Sequence, residues 1–165
     1  MVAEAMVAMT RITPLALALL AGCGGLLSKD VPVVQEFQVG GNLPGSGPTL
    51  PSSALTAPLA ASAGDLAHLS SVTVKSVTLE STDGLPLDFV NSGTLVATAA
   101  GQADAVLATL PKLGTVGIAQ FALQGSTDLK PFLAAGGTLL LSFTWSPKPV
   151  AARGLRLTLV LHAAL

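Results

Sequence analysis

The chain of 165 residues has no tyrosine, one tryptophan and five phenylalanines. A membrane-spanning β-barrel needs girdles of aromatic residues at both interfaces, so that architecture is not expected here. Charge is equally scarce. Asp, Glu, Lys and Arg make up 10% of the residues, against a usual quarter, and the formal net charge is −1. The charges are scattered without a basic stripe, so no nucleic acid is expected as a partner. A single cysteine, Cys23, rules out an internal disulfide, and the fold must stand on its core alone. Only two histidines, His68 and His162, are available for acid–base or metal chemistry. No apolar run reaches the roughly 20 residues needed to cross a bilayer as a helix.

What the N-terminus does carry is a basic residue, Arg11, an apolar stretch from Ile12 to Leu20, and the small pair Ala21-Gly22 immediately before Cys23. This is the order of a secretory signal: charge, a stretch of about 7–15 apolar residues, then small side chains at a cleavage site. Leu20-Ala21-Gly22-Cys23 resembles the lipobox of bacterial lipoproteins. The resemblance implies that residues 1–22 are a signal peptide that is removed, that Cys23 is lipidated and becomes the first residue of the mature protein, and that residues 23–30 form a lipidated tether. It further implies a membrane partner through the acylated Cys23. Gly24 in place of an aspartate implies outer-membrane sorting if the cell is Gram-negative. Each buried CH₂ contributes about 0.8 kcal/mol, so two or more acyl chains hold stably where one holds marginally.

Residues 31–165 are predicted to form one domain, because roughly 140 residues after the signal suffice for a single core. Val31, Val33, Phe37 and Val39 alternate as in a half-buried strand. From 40 to 64 the dense Pro, Gly and Ser punctuation predicts a loop. Val72 and Val74 share one face; Val77 and Leu79 share it again after a slip of one residue, which a β-bulge explains. Further strands are read at 95–99, 105–110 and 116–123. Residues 128–133 read as one helical turn with Ser126 or Thr127 as cap and Gly136-Gly137 as its end, plugging the core with Leu129, Phe132 and Leu133.

The clearest strands come last. Leu139, Leu141, Phe143 and Trp145 alternate with Thr138, Leu140, Ser142 and Thr144, and after Pro147-Lys148-Pro149 the leucines 155, 157, 159 and 161 alternate with Arg156, Thr158, Val160 and His162. Seven or eight such strands predict an all-β antiparallel sandwich, immunoglobulin-like or jelly-roll in style. From Val72 onward the chain resembles a loosely defined group of bacterial envelope lipoproteins, through Asp88-Phe89-Val90-Asn91-Ser92, Asp128-Leu129-Lys130-Pro131-Phe132-Leu133 and Gly136-Gly137-Thr138. That resemblance implies the sandwich and no activity.

Signs of catalysis are sparse. Gly45-Ser46-Gly47 lacks the G-x-S-x-G spacing that strains a serine onto a nucleophile elbow. Gly40-Gly41 and Gly136-Gly137 lack the surroundings of a phosphate cradle. Asp65, Asp83, Asp88, Asp104 and Asp128 are dispersed, although Asp83 and Asp88 flank a turn where a calcium ion could be held. Both read more simply as turn residues, and both histidines as surface residues. Trp145 could stack on a sugar if exposed, but it shares the apolar face of its strand, where core packing is the expectation. The expected function is therefore that of a lipid-anchored envelope protein with a structural or protein-interaction role, a non-enzyme without cofactor or metal. The alternative is a binding module for a small apolar or carbohydrate ligand.

Overall fold

The computed structural model describes residues 28–41, 46–146 and 149–165. The signal segment 1–22, Cys23 and residues 24–27 lie outside the described residues, as do Gly45 and Pro147-Lys148.

Two antiparallel sheets face each other. The first runs in the order β1 (Ser28–Val39), β9 (Arg153–Ala164), β3 (Ser71–Ser81), β6 (Ile118–Gln120). The second runs β2 (Ser46–Pro51), β8 (Thr138–Trp145), β4 (Val90–Thr98), β5 (Ala105–Leu110), β7 (Ala122–Leu123). The expected all-β sandwich is thus the observed architecture. It has nine strands rather than seven or eight among the described residues, and β1 starts at Ser28, three residues inside the segment assigned to the tether.

Alternation explains most of it. Leu155, Leu157, Leu159 and Leu161 are at most 1% exposed and point inward from β9, the strand held between β1 and β3. Leu139 and Leu141 face them from β8. Each such leucine contributes roughly 1.5–3 kcal/mol by leaving water. The phase slip in β3 is a bulge: Val74 pairs with Leu161 and Ser76 with Val160, leaving Lys75 as the extra residue.

Two segments depart from the sequence reading. The segment 116–123 is not one strand. β6 belongs to the first sheet and β7 to the second, and the chain changes sheet at Phe121, whose side chain is buried and whose amide donates to the Val77 carbonyl (2.9 Å). The segment 40–64 is not a continuous loop. It contains β2 and a helix, α1 (Ser52–Ala63), which runs through Pro58. Leu55 and Leu59, one turn apart, are buried, and alanine supplies much of the remaining helix. The first-turn amide of Ser52 donates to the Gly137 carbonyl (2.9 Å), a tertiary partner that no local pattern reveals. α1 lies against β1 and β2, an edge strand of each sheet, and so shields edges that would otherwise invite pairing.

The predicted helical turn is α2 (Lys130–Ala134), with Leu129, Phe132 and Leu133 buried as expected. Its capping acceptor is the Asp128 carboxylate rather than a Ser126 or Thr127 hydroxyl: Oδ1 accepts from the amides of Lys130 (3.0 Å) and Val72 (2.9 Å). Gly136, at φ +68°, donates to the Leu133 carbonyl, and Gly137 to that of Phe132, which is a Schellman ending. Among the described residues no helix is long and apolar enough to cross a membrane.

Candidate functional site

The register defines two poles. At one, β1 starts beside the end of β9 and the start of β3 (Ser28 and Ser71 both oppose Ala164). At the other, Val39 opposes Arg153 and Ser81 opposes Leu155. Four aromatic side chains gather at this second, far pole. The Phe37 ring stacks on Phe143 (centroids 6.2 Å apart), Phe143 meets Trp145 (5.3 Å), and Trp145 stacks on Phe89 (6.0 Å). Such pairs contribute about 0.5–1.5 kcal/mol each beyond their burial.

Local sequence makes room for this line. A Cβ on Gly93 of β4 would sit 3.0 Å from the Phe143 ring, and one on Gly47 of β2 would sit 2.9 Å from it. Phe143 on β8 is therefore seated between two strands that present hydrogen instead of a side chain.

The line ends in an ion pair. The Arg153 guanidinium lies 5.1 Å from the centre of the Phe89 ring, and its Nε and Nη2 donate to Asp83 (2.5 and 3.1 Å) while Nη2 also donates to the Pro86 carbonyl (3.2 Å). Arg153, and then the Ser81 hydroxyl, hold the Asp83 carboxyl well below the usual carboxylate range. Beside this cluster a cleft of about 280 Å³ is lined by Glu36, Phe37, Gln38, Thr82, Gly154 and Leu155. This pole thus brings together the buried rings of Phe89 and Phe143, the half-buried rings of Phe37 and Trp145, a guanidinium held in place by Asp83, and a cleft with polar walls.

No protein-family model matches the chain, and no curated protein matches its sequence.

The residues singled out from sequence are dispersed by the fold. Asp83 is engaged by Arg153 rather than paired with the exposed Asp88, so its carboxylate is not free for a calcium ion. Asp65 caps a short 3₁₀ turn by accepting from the Ala67 amide (3.1 Å), and the exposed His68 ends that turn. Asp104 is exposed, and Asp128 serves α2. His162 lies on the outer face of the first sheet, where its Nδ1 is 2.8 Å from Asp30, which also pairs with Lys75. Three same-face positions along, Arg156 pairs with Glu36 (2.7 Å) and Glu80 (3.5 Å). Among the described residues no three His, Cys, Asp or Glu side chains converge as metal ligands would.

Trp145 is half-buried between Phe89 and Phe143, in keeping with its place on the apolar face of β8. The far-pole cluster itself was missed from sequence. Its members come from four separate segments, and the only local signals were Trp145 ending an alternating strand and the Asp83-Gly84 turn.

Proposed function

We propose that the protein is a lipid-anchored component of a bacterial cell envelope whose sandwich engages another envelope protein through its far pole, without catalysing a reaction. The observation that carries this reading is directional. Cys23 precedes the start of β1 by about five residues, a reach of at most about 18 Å, so an acylated Cys23 would hold the near pole close to the bilayer. β1 is 12 residues long, so the aromatic and Arg153 cluster stands about 40 Å further out. Gly24 after the cysteine favours the outer membrane of a Gram-negative cell.

The anchor is tested by growing cells with an alkyne-bearing fatty acid. Wild-type protein is expected to take up the label and Cys23→Ser to lose it; labelling that survives the substitution defeats the anchor. The interaction is tested with a photo-reactive side chain placed at Gln38 or Thr82 of the far pole and at His68 of the near pole. One discrete cross-linked envelope protein from the far-pole probes is expected, and equal capture from His68 would remove the directionality.

The second reading is a carbohydrate-binding module, favoured by the cleft beside Phe37 with its polar Glu36, Gln38 and Thr82 walls. At about 280 Å³ the cleft sits just below the range typical of ligand pockets, which suits a monosaccharide or a chain end. Calorimetric titration with envelope oligosaccharides decides it, since a binding heat abolished by Gln38→Ala would favour the ligand over the protein partner.

A further inference from the structure

The two sheets differ in what they present to solvent. The outer face of the first carries the ion pairs Asp30–Lys75, Arg156–Glu36 and Arg156–Glu80 together with His162. The five strands of the second contain no Asp, Glu, Lys, Arg or His at all.

Its outer face is ordered in rows. Thr49, Leu140, Val96 and Val106 lie side by side across β2, β8, β4 and β5, forming an apolar ridge in which Leu140 and Val106 are 36% and 44% exposed. On one side of it runs Ser142–Thr94–Thr109, and on the other Pro51–Thr138–Thr98. The hydroxyls at this face are largely paired within it: Thr98 with Thr138 (3.0 Å), Ser92 with Thr144 (2.7 Å), and Thr109 with the Gln124 amide (3.0 Å).

We propose that this face is a self-association surface on which two copies of the chain pack face to face about a two-fold axis. Three observations select a second copy as the occupant. A two-fold axis sets each patch against itself, so any unbalanced charge would meet its like; this face has none to repel. An apolar centre flanked by polar rows is how a protein interface is built, and hydroxyls already bonded to one another lose little when water leaves. A lipid surface would instead call for basic or aromatic side chains, which the outer positions of these strands lack.

The area suffices. Eight residues of β8 at about 3.4 Å and four strands at about 4.8 Å cover about 500 Å² per copy, or about 1,000 Å² across the pair, the threshold for a biological interface and the lower end of what a reversible dimer needs. The association does not depend on the anchor or on the far pole.

The test is sedimentation equilibrium of the full-length chain in density-matched detergent kept in excess over protein, up to about 100 μM. A dimer is expected. Leu140→Glu and Val106→Glu, each at an exposed position, should each weaken it about tenfold or more by setting carboxylates against each other. Val34→Glu, at a 55% exposed position on the other sheet, should leave the dimer intact. Circular dichroism of every variant confirms the fold, and two substitutions on the ridge guard against the loss of one. A wild-type monomer throughout the concentration range overturns the proposal, as does a dimer that both ridge substitutions spare. A photo-reactive group at Val106 that captures only other proteins, and no second copy, overturns it too.

Discussion

Arg153 grips Asp83 across 70 residues of sequence while its guanidinium lies over the Phe89 ring, so one side chain fastens the start of β9 to the turn after β3 and to the segment entering β4. Arg153 is only 15% exposed, and its fork donates to a carboxylate and a carbonyl at once. A lysine ammonium, a point charge without the planar fork, cannot reproduce this set of contacts.

Arg153→Ala is accordingly expected to destabilise the protein by about 1.5–3 kcal/mol, the range for hydrogen bonds to charged groups, and Arg153→Lys to recover less than half of that loss. Urea unfolding monitored by circular dichroism measures both. A lysine variant as stable as wild type would mean that charge alone, rather than the fork and its stacking, holds the turn.

The same pair gives acid sensitivity a sign. The Asp83 carboxyl titrates below its ordinary value of 3.8 in the folded protein, because Arg153 and Ser81 favour its charged form. Its contribution is therefore complete above the unfolded value and is lost progressively as the pH falls from there through the lower folded value, beginning at about pH 5. Asp83→Asn should be less stable than wild type at pH 7 and lose less on acidification, so the two stability curves converge. Asp30, lowered by Lys75 and then His162, gives wild type and variant alike a residual slope in the same direction. Parallel curves across that range would show that Asp83 is not a source of the acid dependence.

How far the fold was legible depended on whether local periodicity or distant contacts decided each segment. The leucines of β9 and the alternation in β8 declare their strands, and the phase slip around Lys75 declares the bulge, because side chains that must all face one core impose period two. α1 was illegible for a physical reason. Only Leu55 and Leu59 mark its buried face, Pro58 removes an internal hydrogen bond, and its first-turn amide is satisfied by Gly137, far along the chain. Phe121 hides a change of sheet inside what reads as one apolar run. The far-pole site was illegible in the same way, since Phe37, Asp83, Phe89, Trp145 and Arg153 meet only after both sheets have formed.

The adjacent glycines that end α2 are expected to differ. Gly136 sits at φ +68° with open space around its missing side chain, so Gly136→Ala meets only the backbone cost of a left-handed residue, about 1–2 kcal/mol, and Gly136→Asn less. At Gly137 a Cβ would stand 2.5 Å from the Thr98 carbonyl oxygen and 2.8 Å from that of Phe132, both backbone atoms that cannot swing aside. Gly137→Ala should therefore cost about 3 kcal/mol or more and disturb the end of the β4–β8 pairing, including the Thr98–Thr138 contact. Thermal melting should rank the variants Gly136→Asn, Gly136→Ala, Gly137→Ala from mildest to most severe. An inverted order would contradict the separate roles of conformation and space.

The bulge in β3 makes the sharpest prediction about register. Val72 and Val74 face the core, Lys75 is the unpaired extra residue, and Ser76 then resumes the outer face opposite Val160. Deleting Lys75 leaves Val72, Val74, Val77 and Leu79 in unbroken alternation on the inner face. The strand should pair normally with β9, losing only the local bend and an exposed contact with Asp30 that contributes little. Deleting Thr78, two residues after regular pairing resumes at Ser76, has the opposite effect: Leu79 turns outward and Glu80 inward, where no partner awaits its carboxylate. The first deletion is expected to give a folded protein with a cooperative melt and the second an unfolded or aggregated chain. Equal damage from both would show that the bulge itself, rather than the facing of the apolar residues around it, is what β3 requires.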